Sequence, residues 1–303
     1  MTDNYLCSWR VHSELKLPEL APWSGDDRPP DVVIRFGEVP DRLDDLVDDD
    51  SFLQVDRRGA CLLRIDNVAT YFVTPREIVV SPRPGAVDAE IRVFLLGSVF
   101  GFLCHQRGLF PLHASCVAIG GKAVALCGQS GAGKSTTALC LTLRGHRLIA
   151  DDVCVIDVNG AGVPHVLPAF PRLKLWQDTL AALDIDRQGL EWDRLGEQEK
   201  YHYLHSDVFP TAPIPLGGIF LLHKADPGEA KETVRVSRPA EKIAALAGEV
   251  FRAQAGIVLG RAATLLAAQA AIAGSIPIWR LSRRFDLADR DRWLRQIEML
   301  VGA

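Results

Sequence analysis

The sequence predicts an α/β fold in which a smaller β-rich domain, residues 1–85, precedes an α/β domain over residues 86–303. Residues 1–85 contain short β-branched or aromatic runs separated by turn residues, which is typical of strands. After residue 110, strand-like and helix-like patterns alternate, which is typical of an α/β sheet. A glycine-rich loop, GQSGAGKS (128–135), joins an apolar strand-like run to a helix-like run.

Five strands are predicted in the β-rich domain: VVIRF (32–36), FLQVD (52–56), CLLRI (61–65), TYFV (70–73) and EIVVS (77–81). The acidic run DRLDDLVDDD (41–50) lacks the alternating ligands and the glycine of a calcium-binding loop. We therefore interpret this run as a solvated helix or loop.

The second domain begins with an apolar helical pattern over residues 87–107. A hairpin follows, in which LHASCVAI (112–119) and KAVALC (122–127) flank the turn Gly120–Gly121. The glycine-rich loop then opens a helix that ends at Gly145, and the strand LIADD comes next. The remaining predictions are strands 153–158, 215–223, 232–237 and 276–282, a turn at 159–162, and helices 240–253, 258–273 and 287–301.

Composition restricts the class of protein. With 48% hydrophobic and 24% charged residues, the chain has the balance of a soluble globular protein. Its net charge of -4 argues against a nucleic-acid-binding protein, which is usually basic. Seven cysteines without CxxC spacing are interpreted as buried free thiols.

No secretory pattern opens the chain, and the apolar stretches 93–104 and 256–279 are too short or too interrupted to span a membrane. A cytoplasmic protein is expected.

The glycine-rich loop fits the pattern G-x-x-x-x-G-K-[ST] without a mismatch. Its backbone N–H groups are expected to surround phosphate oxygens, Lys134 to reach the β- and γ-phosphates, and the Ser135 hydroxyl to bind Mg²⁺. There is no N-K-x-D motif for guanine in the sequence. ATP and Mg²⁺ are therefore the predicted ligands. The nucleotide-binding residues are predicted to be Gly128, Gln129, Ser130, Gly131, Ala132, Gly133, Lys134, Ser135 and Thr136.

Two neighbouring carboxylates, Asp151 and Asp152, lie in the apolar stretch that follows this helix. On a strand they would point to opposite faces and enter two different environments. Carboxylates at a strand end near such a loop commonly hold Mg²⁺ through water, and the alternative is a solvated strand end. His113, which opens the predicted hairpin strand, is either structural or catalytic on the sequence alone.

The stretch HASCVAIGGKAVALCGQSGAGKSTTALCLTLRGHRLIADD (113–152) resembles the catalytic core of the bacterial HPr kinase/phosphorylase family. The shared features are the histidine before the hairpin strand, the glycine-rich loop, the R-G-H-R-L helix end and the aspartate pair. The resemblance implies an HPr-kinase-like (PEP carboxykinase-like) P-loop domain with a mixed, curved sheet. It further implies that Asp151, held by His113, is the catalytic base. Lys134 would stabilise the transferred phosphoryl group, and Asp152 would bind Mg²⁺ together with Ser135.

The sequence also departs from that family. Family members carry a glutamate-containing stretch after the aspartate pair, whereas VPHVLPAFPRLKLW (163–176) contains no glutamate. PRLKLW instead resembles a divergent branch that includes kinases encoded with lasso-peptide biosynthesis, which phosphorylate a serine of a precursor peptide. The expected function is an ATP- and Mg²⁺-dependent kinase that acts on a serine hydroxyl of a peptide or protein. The alternatives are a small-molecule hydroxyl kinase and a non-catalytic nucleotide sensor. A homo-oligomer is expected from the resemblance alone.

Three further groups of polar residues have open interpretations. Arg172 and Lys174 alternate on one predicted strand face, and they either contact nucleotide phosphates or an anionic peptide end, or are plain surface charges. EKYHYLHSD (199–207) is interpreted as a loop near the substrate, and its His202 and His205 lack a third ligand for zinc. Arg261, in an apolar helical run, is interpreted as a snorkelling or paired arginine.

Overall fold

Two large mixed sheets and a small third sheet, with helices packed on them, form the computed structural model. The structure describes residues 1–50, 52–159, 162–193, 199–204, 209–225, 232–284 and 287–302. The predicted turn at 159–162 and the predicted loop at 199–207 therefore lie partly outside the described residues.

The β-rich part is one eight-stranded sheet with the strand order β1-β2-β3-β8-β7-β6-β5-β4. The strands are β1 (Thr2–Leu6), β2 (Trp9–Ser13), β3 (Val32–Phe36), β4 (Leu46–Asp49), β5 (Leu53–Asp56), β6 (Cys61–Ile65), β7 (Ala69–Val73) and β8 (Glu77–Pro82). The pairs β2–β3 and β3–β8 are parallel, and the others are antiparallel. All five predicted strands are confirmed to within about one residue at each end.

The acidic run was wrongly predicted as a helix or loop, because β4 forms there and pairs antiparallel with β5. β4 is the last strand of the sheet, and none of its four residues is fully buried. An edge strand keeps one side in water, where aspartates are tolerated and also discourage pairing with another chain.

The described residues contain eight α-helices, all after the first sheet: α1 (Asp88–Phe94), α2 (Phe100–Gln106), α3 (Lys134–Thr142), α4 (Gln177–Ala182), α5 (Pro239–Gly248), α6 (Ala253–Val258), α7 (Ala262–Ser275) and α8 (Arg290–Val301). A π-helical turn, Leu95–Val99, joins α1 to α2. The predicted helix 87–107 is thus one helical segment with a π turn in its middle. The predicted helix 258–273 corresponds to α7, which begins four residues later and ends two residues later, and α6 lies before it.

The later strands are β9 (Phe110–Leu112), β10 (Ala114–Ile119), β11 (Lys122–Cys127), β12 (Arg147–Ala150), β13 (Cys154–Asp157), β14 (His165–Leu167), β15 (Arg172–Trp176), β16 (Glu191–Asp193), β17 (Lys200–Leu204), β18 (Ile214–Lys224), β19 (Glu232–Val236) and β20 (Ile278–Arg283). The second sheet has the order β12-β10-β11-β18-β14-β13-β9, with β20 beside β18 and β19 beside β20. Parallel pairs (β11–β18, β18–β20) and antiparallel pairs occur together, so the predicted mixed sheet is confirmed. β15, β17 and β16 form the third sheet, and the predicted loop at 199–207 is a strand over Lys200–Leu204.

The hydrophobic core crosses the predicted domain boundary at residue 85. One buried cluster includes Val11 and Tyr71 of the first sheet, Phe100 of α2, and Cys116 and Ile219 of the second sheet. All seven cysteines are buried and free, as the sequence predicted. The division into 1–85 and 86–303 stays a prediction.

A second buried cluster supports the region of the glycine-rich loop. Leu139 and Leu141 of α3 pack in it with Leu126 of β11 and Phe220 of β18. The loop therefore leaves one packed element and enters another, which fixes both of its ends.

Among the described residues, no helix is long and apolar enough to cross a membrane.

Candidate active site

The glycine-rich loop connects β11 to α3, and its glycines have backbone conformations that other residues rarely adopt. Gly128 has φ 139°, Gly131 has φ 82° and Gly133, which caps α3, has φ 85°. A Cβ atom on Gly128 would lie 2.6 Å from the carbonyl oxygen of Leu222 in β18. The loop can therefore run this close to the sheet only with glycine at 128. Its amides and the N-terminus of α3 suit an anionic ligand.

Lys134 is almost fully buried and is bonded to the loop itself. Its Nζ donates to the carbonyl oxygens of Gly128 at 2.7 Å and Gln129 at 3.4 Å. Burial lowers the pKa of Lys134, while the carboxylates of Asp151 and Asp152 act in the opposite direction. The ammonium is thus held inside the curve of the loop, where a phosphate group would compete with the two carbonyls.

Asp151 is buried and accepts three hydrogen bonds. The Ser115 hydroxyl donates at 2.5 Å and the Ser135 hydroxyl at 2.9 Å to the same carboxylate oxygen, and the backbone N–H of Lys174 donates at 2.8 Å to the other. Burial raises the pKa of Asp151, although these hydrogen bonds favour the ionised form. Asp151 is therefore tied directly to the loop serine.

Asp152 is more exposed, with 28% of its side chain accessible, and has two cationic or proton-donating neighbours. His113 Nδ1 lies 3.2 Å from its carboxylate and 3.1 Å from its carbonyl oxygen, and Lys174 Nζ lies 3.3 Å from the carboxylate. Burial raises the pKa of Asp152, but His113 and Lys174 outweigh burial and lower it well below its usual range. Both neighbours of His113 Nδ1 are acceptors, so Nδ1 is the protonated nitrogen.

The sequence predicted that both aspartates lie on a strand, and this prediction is wrong. β12 ends at Ala150, and Asp152 has φ 71°, a left-handed conformation that a strand does not contain. The turn, and not the strand pleat, separates the two carboxylates. His113 likewise does not open a strand but lies between β9 and β10.

The contacts of the pair are the reverse of those that the resemblance implied. His113 lies against Asp152 and not against Asp151, because the turn at Asp152 brings that residue toward the β9–β10 junction. Ser135 binds Asp151 and not Asp152, because Asp151 directly continues β12 beside α3. The chemical roles of both residues stay a prediction.

The three further groups of polar residues that the sequence analysis left open have the following contacts. Arg172 is buried in an ion pair with Glu19 at 3.3 Å, so it is neither a phosphate contact nor a surface charge. The side chain of Lys174, on the same strand, contacts the carboxylate of Asp152. His202 is buried, His205 lies outside the described residues, and the described residues contain no group of three or more His, Cys, Asp or Glu that could hold a metal ion. Arg261 donates to the backbone oxygen of Gln106 and is a paired arginine.

Glu249, after α5, is a site residue that the sequence did not indicate. Its carboxylate accepts from the backbone N–H of Gly128 at 3.0 Å, and its carbonyl oxygen accepts from the N–H of His113 at 2.7 Å. It thereby connects the loop to the histidine. No local pattern marks Glu249, because the contact is made across 121 residues. Ser115, by contrast, lies inside the HASC motif and could have been singled out there.

Comparison with known proteins bears on this part of the chain. Residues 109–164, which include His113, the loop and both aspartates, match the family model of the HPr Serine kinase C-terminal domain. The chain is 33% identical over 131 residues to the HPr kinase/phosphorylase of Bacillus pumilus, covering 35% of this chain and 42% of that protein. It is 29% identical over 220 residues to the HPr kinase/phosphorylase of Lactobacillus delbrueckii subsp. bulgaricus, covering 64% of each.

These matches confirm the predicted resemblance to the HPr kinase-like family. The aligned segments span 42% and 64% of the length of these two relatives. The solved structure of the Hpr(Ser) kinase/phosphatase from Coxiella burnetii is 14% identical, with a TM-score of 0.30 over 63% of this chain and 93% of that chain. A likeness at that level supports no conclusion about this chain.

Proposed function

We propose that the chain is a kinase that transfers the γ-phosphoryl group of ATP to a serine hydroxyl of a peptide or protein. One observation supports this most strongly. Two neighbouring carboxylates meet at a glycine-rich loop, one bonded to the loop serine and the other facing a histidine and a lysine in a more open position. A nucleotide sensor has no use for the second carboxylate and its partners.

The loop side of the site fits a nucleotide with a magnesium ion. Ser135 and Asp151 would hold Mg²⁺, since a hydroxyl and one carboxylate, completed by phosphate and water oxygens, are the oxygen donors that this ion prefers. When bound, Mg²⁺ neutralises charge on the β- and γ-phosphates. Lys134 would exchange its bonds to the loop carbonyls for bonds to phosphate oxygens and stabilise the charge of the transition state.

The open side fits the acceptor. We assign Asp152 as the base, which exchanges the roles that the resemblance implied for the two aspartates. As the acceptor oxygen bonds to the γ-phosphorus, the bond from that phosphorus to the bridging oxygen breaks and ADP leaves. The acceptor proton passes to the carboxylate of Asp152. His113 and Lys174 keep this carboxylate ionised and oriented before the proton arrives.

Three finer proposals follow. A lasso-peptide precursor is the proposed acceptor, on the resemblance of PRLKLW, whose Lys174 contacts the proposed base. A cytoplasmic location and a homo-oligomeric assembly accompany it. A gene for a short precursor peptide beside this gene would support the acceptor, and its absence would count against it.

Mass spectrometry of acceptors incubated with the chain, ATP and Mg²⁺ tests the proposed function. The acceptors are a set of serine-containing peptides and, in parallel, a set of sugars and amino acids with free hydroxyls. We expect phosphorylated serine in peptides only. Phosphate on the small molecules alone would establish the small-molecule kinase, and ATP binding without any phosphorylated product would establish the sensor.

A further inference from the structure

A second cleft opens from the candidate site, and no residue of the glycine-rich loop lines it. Its cavity volume is about 440 Å³. One wall comes from the end of α1 and the π turn, with Val93 and Phe94, and the other from the segment after α5, with Val250 and Phe251. Each wall therefore contributes apolar side chains, and the polar Ser98 and Arg252 lie beside them.

This cleft is continuous with the proposed reaction centre. His113, Asp152 and Lys174 line both the cleft and the cavity at the glycine-rich loop. Asp152 thus stands at the junction of the two cavities. A molecule whose hydroxyl reaches Asp152 without entering the loop cavity has to place its neighbouring atoms in this cleft.

The two walls are held in place by bonds to the rest of the site. The backbone N–H of Phe251 donates to the carbonyl oxygen of Pro111 at 2.9 Å, and the ring of Phe251 lies 5.8 Å from that of His113. Across the cleft, Arg252 donates to the Ser98 hydroxyl at 2.8 Å. Arg252 has φ 52°, and such left-handed conformations of non-glycine residues are concentrated at functional sites. The π turn that carries Ser98 is a second feature found frequently at such sites.

We propose that this cleft binds the acceptor peptide beside the phosphorylated serine and selects an apolar side chain next to that serine. The inference rests on the proposed kinase function and adds its acceptor specificity. An aliphatic or aromatic side chain between Phe94 and Phe251 gains the free energy of leaving water. In the space between these two rings, a sugar would lose hydrogen bonds to water that the rings do not replace.

Glycines on both walls make the proposal testable without disturbing the core. Gly97 and Gly248 line the cleft, and a Cβ atom on either has no neighbouring atom within 4 Å. Gly97→Leu should fill the cleft from the π turn, and Gly248→Leu should fill it from the opposite wall. The matched control is Gly274→Leu in α7, where a Cβ atom also meets open space but neither cavity is lined.

The probe is a pair of serine peptides that differ only in the residue beside the serine, leucine in one and asparagine in the other. We expect the wild-type chain to prefer the leucine peptide by about tenfold to a hundredfold in kcat/KM, the effect of burying one such side chain. Gly97→Leu should remove most of this preference, and Gly274→Leu should retain it. MgATP affinity, measured by calorimetry, should be the same in all three proteins and reports that each is folded.

The outcomes separate the two levels of the proposal. Equal phosphorylation of both peptides by the wild-type chain, or a full leucine preference in Gly97→Leu and Gly248→Leu, would overturn the cleft assignment and leave the kinase function standing. If no peptide is phosphorylated, the kinase function fails and the cleft assignment fails with it. Should Gly97→Leu not bind MgATP, Gly248→Leu decides by the same comparison.

Discussion

Asp151 and Asp152 are neighbours in sequence but occupy opposite electrostatic environments. Burial raises the pKa of Asp151, whereas His113 and Lys174 lower that of Asp152. A carboxylate that burial disfavours becomes a good metal ligand, because the cation restores its ionised form. Asp152 stays ionised beside its donors and so carries no proton before the acceptor arrives. Its lowered pKa also makes it a weaker base, so its main contribution is to orient the acceptor hydroxyl.

His202 gives a prediction about stability at the scale of a single residue. Burial, together with the positive charges of Arg172 and Lys174, lowers the pKa of His202 to about 3 from its usual value of about 6.5. Below about pH 6.5 the unfolded chain therefore binds a proton that the folded chain rejects, so the free energy of unfolding falls as the pH falls. Between about pH 6.5 and pH 5 the loss should be about 2 kcal/mol.

Urea unfolding of the wild-type chain and of His202→Gln at both pH values measures this effect. The variant should lose that pH dependence, whatever its stability at pH 7. His165→Asn, at a more exposed strand position, is the control and should keep the wild-type dependence. The same slope in His202→Gln as in the wild type would refute the assignment.

At the scale of the elements, the local sequence pattern correctly predicted the strands and turns that depend on residues close together in the sequence. β3 and β6 were predicted at their observed bounds because their apolar residues and flanking turns lie within a few positions. The hairpin β10–β11 follows from Gly120–Gly121, both of which have positive φ. β4 was missed because its acidic composition is acceptable only at a sheet edge, and edge position depends on the whole sheet.

The candidate site shows the same limit. The loop and the aspartate pair were visible as motifs, but the turn at Asp152 was not, because apolar neighbours on both sides favoured a strand. Lys174 and Glu249 reach the site from β15 and from the end of α5. Such partners are chosen by tertiary packing, which no local window of sequence contains.

Two glycine substitutions separate the effect of a close atomic contact at the glycine-rich loop from the effect of backbone strain. Gly128→Ala should both strain the backbone at φ 139° and bring Cβ to 2.6 Å from the Leu222 oxygen. Gly121→Ala, at φ 78° in the hairpin turn, introduces strain with no atom within 4 Å of its Cβ. Strain alone costs about 1–3 kcal/mol.

We therefore expect Gly121→Ala to lose stability within that range and to keep its MgATP affinity. Gly128→Ala should lose at least tenfold in MgATP affinity, because the loop must move from the sheet. Calorimetric titration and thermal unfolding of both variants measure the difference. Unchanged MgATP affinity in Gly128→Ala would contradict the role given to this close approach.

At the scale of the whole molecule, a buried ion-pair network joins the first sheet region to the candidate site. Glu19 accepts from Arg92 of α1 at 2.8 Å and lies 3.3 Å from Arg172 of β15. All three side chains are buried. Arg172 and Lys174 lie on the same strand, so the network holds the strand that presents Lys174 to Asp152.

Removing Glu19 should therefore affect both stability and the site. Glu19→Ala leaves the buried guanidinium of Arg172 without its carboxylate, whereas Arg92 keeps its bond to Glu191 at 2.6 Å, and should cost about 3–5 kcal/mol of unfolding free energy. The exposed pair of Arg42 and Asp49 provides the control, since Arg42→Ala should cost no more than about 1 kcal/mol. Chemical unfolding of the two variants measures these values, and equal costs would show that burial of the network is unimportant.

The division of roles between the two aspartates is tested most directly by two single substitutions compared in one assay. Transfer of labelled phosphate to the preferred serine peptide is measured for Asp152→Asn and Asp151→Asn, together with the affinity of each protein for MgATP. Asp152→Asn should lower the transfer rate by about 10²- to 10⁴-fold, the usual contribution of a general base, with MgATP affinity unchanged. Asp151→Asn should weaken MgATP binding. Wild-type transfer by Asp152→Asn, with transfer lost and MgATP binding intact in Asp151→Asn, would contradict the proposed mechanism.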